Sequence, residues 1–298
     1  MTQPHPLKFQ DPKIAKLYRD VPAEQIARLR EFRATQTWKE TTIRGVAWRY
    51  LDVGQGAPTL LIPPGALGTA ESGWQTISHF AERGYRVIAP SYPPSITTMN
   101  ELVDGLAGVM DRAEVGKAHV LGGSYGGVVA QVFVRRHPDR TEKLVVSHAG
   151  CPDPERGRKI AGALRWLRLL PMGLLRAIVK KRLAGLLPEG HAAAAMLAAY
   201  VNEVMTYEAT KAGLLNGFRR AADFDLNTTF TPEDLADWPG RMLLIMADDD
   251  PSTPEPVRQA MQALYPQAEV HMFHGTGHAA PILKQEKYYS VLETFLEK

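Results

Sequence analysis

The chain has 298 residues, 45% hydrophobic and 22% charged, enough for one large α/β domain with an insertion. Its formal charge of +3 is too small to argue for a nucleic-acid partner, and a single cysteine, Cys151, excludes a disulfide framework and a cysteine-rich metal site. MTQPHPLKFQDPK at the start holds no apolar run, and no stretch nears the roughly 18 apolar residues of a membrane span, so a reduced, cytoplasmic, soluble protein is expected, with neither secretory signal nor transmembrane segment.

Residues 1–36 carry charge at helical spacing (Lys13, Lys16, Arg19; Glu24, Arg28, Glu31) and predict one or two short helices lying outside the core. TWKETTIRGVAWRYLDVGQG alternates in residue type around Gly45 and reads as an antiparallel hairpin. The continuous apolar run Thr59–Ile62 is a buried strand, followed by the loop PPGALGTAESG and a helix near Trp74–Arg83. Tyr85–Ala89 is the next strand and Asn100–Arg112 the next helix; Ala118–Leu121 and Lys143–Ser147 are further strands with a helical pattern between them. Strand–helix alternation of this kind implies a mostly parallel sheet with both faces covered.

The alternation stops at Ala149. From about Cys151 to Gly240 there is no convincing strand, and Ile160, Leu164, Leu167 and then Leu174, Ile178, Leu183 recur at helical spacing, divided by Pro171. A second helical block covers 191–222. Alternation returns with the strand Met242–Met246, a helix from about Glu255 to Leu264, the strand Val270–Phe273 and a final helix through Lys298. The chain therefore reads as an N-terminal helical extension (1–36), an α/β core (37–150 and 241–298) and a helical insertion (151–240).

One segment carries chemistry on its face. Gly122-Gly123-Ser124-Tyr125-Gly126 is a Gly-x-Ser-x-Gly pentapeptide set between a strand and a helix. That context predicts a sharp turn that lifts the Ser124 hydroxyl to the top of the sheet as a nucleophile, with the Tyr125 N–H aimed at a developing oxyanion. Serine needs a base, and the base needs an orienting acid. Asp248, Asp249 and Asp250 follow the Met242–Met246 strand, on the sheet edge that the serine turn shares; periodicity does not choose among them, and Asp153 is a weaker alternative. His278, in a loop after the last strand, is the candidate base, with His274 read as ending the strand. His271 and His274 would face opposite ways on that strand, with no Glu or Cys to join them, so no metal or other cofactor is expected. His137 and His148 read as structural or solvated. The second oxyanion donor is assigned to the amide of Ala66, because Pro63 and Pro64 lack an N–H, with Gly65 letting the backbone turn inward.

These residues give the chain a resemblance to the α/β-hydrolase superfamily over roughly residues 37–298. The resemblance implies an eight-stranded, mostly parallel sheet with helices on both faces, and a cap formed by the insertion. Ser124 matches the family's nucleophile elbow and Gly277-His278 its histidine motif. Ala247 to Pro254 matches its Gly-x-x-Asp-x-x-x-Pro acid motif with alanine for glycine, which selects Asp250. Pro64-Gly65 stands where His-Gly is usual, and the PPGALGTAE loop with GYRVIAPSYP is similar to the maspardin branch, whose animal members are regarded as binding proteins with an incomplete triad. Epoxide hydrolases and haloalkane dehalogenases of this fold use aspartate as nucleophile, so Ser124 argues against both.

The resulting expectation is a serine esterase that cleaves a small-molecule carboxylic ester through an acyl-enzyme. C–C hydrolase or perhydrolase chemistry, and a non-catalytic maspardin-like receptor, stay open. The insertion carries nine Lys and Arg and no acid between residues 156 and 182, interleaved with Trp166 and leucines. A solvated face is the plainer account, and weak contact with a lipid surface is the alternative.

Overall fold

In the computed structural model, which describes residues 11–186 and 192–298, eight strands form one sheet. They are β1 (Trp38–Ile43), β2 (Val46–Val53), β3 (Thr59–Leu61), β4 (Arg86–Ser91), β5 (Ala118–Gly123), β6 (Thr141–Ser147), β7 (Arg241–Ala247) and β8 (Glu269–Phe273). Their spatial order is β1-β2-β4-β3-β5-β6-β7-β8. The hairpin β1–β2 and the β2–β4 pair are antiparallel; every other pair is parallel.

The apolar runs in the inner strands divide by the two-residue period of a strand. Leu60, Val87, Leu121, Val145 and Leu243 face one layer, while Leu61, Ile88, Val120, Leu144 and Leu244 face the other. The helices α3 (Trp74–Ala81) and α12 (Gln285–Glu297) cover the first face; α4 (Met99–Arg112), α5 (Tyr125–Arg136) and α10 (Glu255–Leu264) cover the second. Between β6 and β7 the chain runs through α6 (Pro154–Leu167), α7 (Met172–Ala184), α8 (Ala192–Glu203) and α9 (Lys211–Asn227), and a short α11 (Ala280–Leu283) precedes α12. Among the described residues no helix is long and apolar enough to cross a membrane.

Two sequence readings need correction. The N-terminal helices α1 (Pro12–Leu17) and α2 (Ala23–Thr35) do not lie outside the core: Ile14, Tyr18, Leu29 and Phe32 are buried in the first layer. Their spacings of four and three residues form an inward stripe that the surrounding charges mask. In α7 the inward stripe is displaced by one residue from the expected Leu174 and Ile178. Leu175 is fully buried, while Leu174 and Ile178 face outward.

The N-terminal helices also carry a buried ion cluster. Arg33 of α2 bonds Glu71, after β3, through Nε at 3.1 Å, and makes an ion pair with Glu203 at the end of α8, with Nη2 2.9 Å from the carboxylate. Tyr18 donates its hydroxyl to Glu203. Glu71 and Glu203 are almost wholly inaccessible to solvent. One guanidinium thus holds two buried carboxylates from different parts of the chain. Arg33→Ala leaves both without that charge and is expected to cost about 3–5 kcal/mol of stability by urea denaturation. A loss below about 1 kcal/mol, typical of an exposed pair, would show that the cluster is solvated instead.

Candidate active site

Strand β5 passes to α5 through a single residue. Ser124 adopts φ 54° and ψ −123°, the left-handed region that a non-glycine residue avoids. Its N–H donates to the Ser147 carbonyl at 2.8 Å, tying the turn to β6. The turn closes only because its neighbours lack a side chain. A Cβ on Gly122 would lie 2.3 Å from the Gly126 carbonyl oxygen, and one on Gly126 would lie 2.3 Å from that of Pro63. The elbow and the Pro63–Ala66 loop therefore meet backbone to backbone.

Tyr92 fixes that loop by donating its hydroxyl to the Pro64 carbonyl and its N–H to the Gly68 carbonyl, each at 2.8 Å. The Ala66 amide makes no hydrogen bond among the described residues. The Tyr125 amide lies in the first turn of α5, where helical N–H groups lack an intrahelical acceptor. The expected inward turn at Gly65 is not what demands glycine. Gly65 has an ordinary φ and room for a Cβ, which would sit 3.9 Å from the Gly123 carbonyl oxygen, whereas Gly68 has φ +69°.

The three aspartates after β7 go separate ways. Asp248 pairs with His274 Nδ1 at 2.7 Å on the surface. Asp249 accepts the amides of Thr276 (3.1 Å) and Gly277 (2.8 Å), shaping the histidine loop. Asp250 is buried and meets His278 Nδ1 at 2.8 Å through Oδ2. Its Oδ1 accepts the Ser252 amide at 2.8 Å and hydroxyl at 2.7 Å. Burial alone would raise the Asp250 pKa, but His278 and the two Ser252 donors outweigh it and hold the carboxyl well below the usual range. Asp153 is occupied as the N-cap of α6, accepting the amides of Glu155 and Arg156. His271 packs against the Phe273 ring, so the three nearby histidines have three different surroundings.

His278 Nε2 is buried and has no hydrogen-bond partner among the described residues. His278 lines a cavity of about 690 Å³ together with Ser124, Ala66 and Tyr125. The far wall comes from the insertion, with Ile160, Val179, Leu183, Tyr207, Leu214 and Phe218. The geometry therefore brings together all five residues singled out in the sequence: Ser124, Asp250, His278, Ala66 and Tyr125.

Two cavity residues were not legible in the sequence. His148, at φ 51°, is buried beside His278 with ring centroids 5.6 Å apart, and its Nδ1 lies 2.7 Å from Ser147 Oγ. Burial, reinforced by repulsion from His278, lowers its pKa to about 4. Arg220 of α9 is 4% exposed; it donates through Nε to the Tyr125 hydroxyl at 3.1 Å and through Nη1 to the Ile96 carbonyl at 2.6 Å. No carboxylate stands within ion-pair distance of it among the described residues. Arg156, also on the cavity wall, is instead matched by Asp225, with Nε 2.8 Å from Oδ2. The usable signal for Arg220 is its place four residues from both Asn216 and Phe224, on the buried stripe of α9.

A model of the alpha/beta hydrolase family matches residues 60–290. A 2-hydroxy-6-oxononadienedioate/2-hydroxy-6-oxononatrienedioate hydrolase from Paraburkholderia phymatum is 29% identical over 83% of this chain and 90% of its own. A meta-cleavage product hydrolase from Pseudomonas fluorescens superposes with a TM-score of 0.62 at 21% identity, covering 87% of this chain and 97% of that one. An esterase from Thermogutta terrifontis gives 0.70 at 21% identity, covering 88% and 98%. These names point to C–C hydrolases and esterases, not to the maspardin branch expected from the loop sequence.

The His148 environment sets an acid limb of stability. A native pKa near 4 against an ordinary value near 6.5 means that the unfolded chain takes the extra proton. The contribution is complete above pH ~6.5 and is lost as pH falls toward ~4, by on the order of 3 kcal/mol. The titratable groups facing this ring are His278, Asp249 and Asp250. The depressed pKa of Asp250 confines its own loss to more acidic solution, below the ordinary carboxylate range. His148→Gln is expected to flatten the fall in urea stability between pH 6.5 and 4.5. An unchanged slope would assign that limb to other groups.

Proposed function

The chain belongs to the alpha/beta hydrolase family, and we propose that it is a serine hydrolase opening a bond beside a carbonyl in a small substrate that carries a carboxylate. One observation carries the reading. Asp250 occupies His278 Nδ1, leaving Nε2 without a partner among the described residues on a ring that lines the same cavity as Ser124. A histidine held this way has its tautomer fixed and its second nitrogen free to take a proton.

In this mechanism Ser124 Oγ attacks the carbonyl carbon while its proton passes to His278 Nε2. Asp250 stabilises the imidazolium. The amides of Ala66 and Tyr125 hold the oxyanion, each donor worth roughly 3–4 kcal/mol of barrier in comparable sites. The tetrahedral adduct collapses, and the leaving group takes the proton from His278. Water then enters by the same route and releases the acid.

Arg220 suggests what else the substrate carries. A buried guanidinium without a carboxylate costs several kcal/mol to desolvate, and an incoming anion offsets that. The full-length relative's named substrate is a 2-hydroxy-6-oxo dioate, which supplies both a ketone and carboxylates. On that ground the bond broken is assigned as the C–C bond next to the ketone. Ester cleavage is the second reading, favoured by the aliphatic and aromatic far wall; it needs the same steps with an alkoxide leaving. A non-catalytic maspardin-like role has no use for a serine held at a backbone cost of about 1–3 kcal/mol beside a bare imidazole.

Disappearance of the visible absorption of a 2-hydroxy-6-oxodienoate, set against release of p-nitrophenol from short and long esters, separates the two bonds. Ser124→Ala is expected to remove most turnover of either, leaving roughly 10³–10⁴-fold over water from binding and the oxyanion donors. Asp250→Asn is expected to lower kcat by on the order of 10⁴, as loss of the orienting carboxylate does in other triads. Asp248→Asn, altering only the surface pair with His274, changes it little. No turnover of either substrate class, together with no fluorophosphonate adduct on Ser124, would favour the binding role.

Arg220 has a separate readout. Arg220→Gln is expected to raise KM for a carboxylate-bearing substrate by on the order of tenfold or more, as losing one charged hydrogen bond of about 1.5–3 kcal/mol implies. KM for a neutral ester should hardly move, with the melting temperature checked because the side chain is buried. Equal changes for both substrates would assign Arg220 to structure alone.

A further inference from the structure

We infer that the α6–α7 hairpin of the insertion is an interfacial anchor that docks the protein on an anionic lipid surface. The inference rests on the outer surface, not on which bond the cavity opens. Among the described residues seven large hydrophobic side chains are exposed, and four of them sit on this hairpin. Trp166 is 72% exposed, Leu169 66%, Leu174 51% and Ile178 39%. Trp166 sits in the last turn of α6 and Leu169 in the turn that follows, and Leu174 and Ile178 lie one helical turn apart on α7. Their exposure is not the cost of packing the other side, because α7 already has an inward stripe: Leu175 is buried, and Val179 and Leu183 line the cavity.

The charge around this apolar tip has one sign. Nine Lys and Arg and no acid lie between residues 156 and 182, whereas the whole chain nets only +3, so the rest is acidic overall. Arg156 is paired with Asp225, Lys159 with Glu155, and Arg176 donates to the carbonyls of Thr206 and Ala209. Arg158, Arg165, Arg168, Lys180, Lys181 and Arg182 have no carboxylate within ion-pair distance among the described residues. Unpaired cations surrounding exposed Trp and Leu match the headgroup region of an anionic bilayer. There the apolar tip enters the acyl boundary and the long basic side chains keep their charge among phosphates. A second copy meets this surface poorly, since a two-fold contact would set two groups of unpaired cations against each other. A nucleic acid would use the cations but not the exposed leucines. Since Arg182 and Val179 also line the cavity, docking here brings its wall next to the bilayer.

The test is co-sedimentation with phosphatidylcholine vesicles, with and without phosphatidylglycerol, using the full chain. Binding is expected only to the anionic vesicles, weakening with salt, with a blue shift of tryptophan emission that Trp166→Ser abolishes. Trp166→Ser/Leu169→Ser and, separately, Arg165→Glu/Arg168→Glu/Lys181→Glu are each expected to reduce partitioning by on the order of a hundredfold. Both variants alter exposed side chains, and turnover of a soluble substrate should match the parent. Absence of binding by the parent chain overturns the inference. So does binding that ignores Trp166 and Leu169, which would be charge alone, and so does self-association in sedimentation velocity that Trp166→Ser removes.

Discussion

Ser124 is held in a backbone conformation that its side chain disfavours, and most of the site's geometry follows from that. The chain leaves a strand and enters a helix with no residues to spare, so one residue must take the whole reversal at φ 54°. Such strain persists only where the surroundings over-determine it. Here β5 lies between β3 and β6 and is buried along its length, while α5 packs down on the second layer. The bond from the Ser124 amide to β6 then fixes the turn itself. The bare backbones of Gly122 and Gly126 let the helix close over the strand, and the Pro63–Ala66 loop rests directly on Gly126. The same contact that permits the nucleophile thus sets the distance to its second oxyanion donor.

That loop is fastened beyond the contact as well. Downstream of it, Glu71 is gripped by Arg33, and Arg33 also grips Glu203 at the end of α8, just before the turn that supplies Val204, Tyr207 and Glu208 to the cavity. One buried cation from the N-terminal helices therefore joins the loop on the chemical side to a helix on the substrate side. Burial opposes every charge in this cluster, so its gain in net stability is modest by comparison with an apolar core of equal volume. What it supplies is a unique arrangement, because any displacement of α2 or α8 leaves a buried carboxylate without its counter-ion.

The sheet was legible because inner strands of a parallel sheet read as continuous apolar runs, as in β3, β4 and β7. The nucleophile turn was legible because its spacing of glycines has a steric cause. Asp250 was not separable from its neighbours by periodicity. Only the superfamily pattern selected it, and the structure shows why periodicity fails: all three aspartates lie past the end of β7, where side-chain direction is set by the loop. His148 reads from the sequence as structural or solvated, and Arg220 carries no signal there, for a related reason: their surroundings come from contacts with residues more than 90 positions distant, at His278 and Tyr125 respectively. The N-terminal helices were misplaced because charge is the louder signal in a short amphipathic segment. Four buried side chains among many charged ones are enough to pull it into the core.

The insertion poses a different physical problem from the sheet. Its first two helices bury little, α6 only Gly157 and α7 only Leu175, whereas α8 sinks Met196, Ala199 and Tyr200 into the first layer and α9 sinks Phe224 into the second. For α6 and the end of α8, position is also set at two specific points. Arg156 meets Asp225 beneath the α6–α9 contact, where Gly157 lets the two helices approach so closely that a Cβ would lie 2.7 Å from the Asp225 side chain. Glu203 meets Arg33 at the end of α8. Between these anchors some wall residues, such as Val204 and Phe224, also belong to the core layers, while Ile160, Val179, Leu183 and Leu214 lie outside them. The chemical half of the site is fixed by backbone contacts that tolerate almost no substitution, and the substrate half by two ion pairs together with the apolar faces of α8 and α9. Substrate preference is therefore the property of this chain that its fold constrains least.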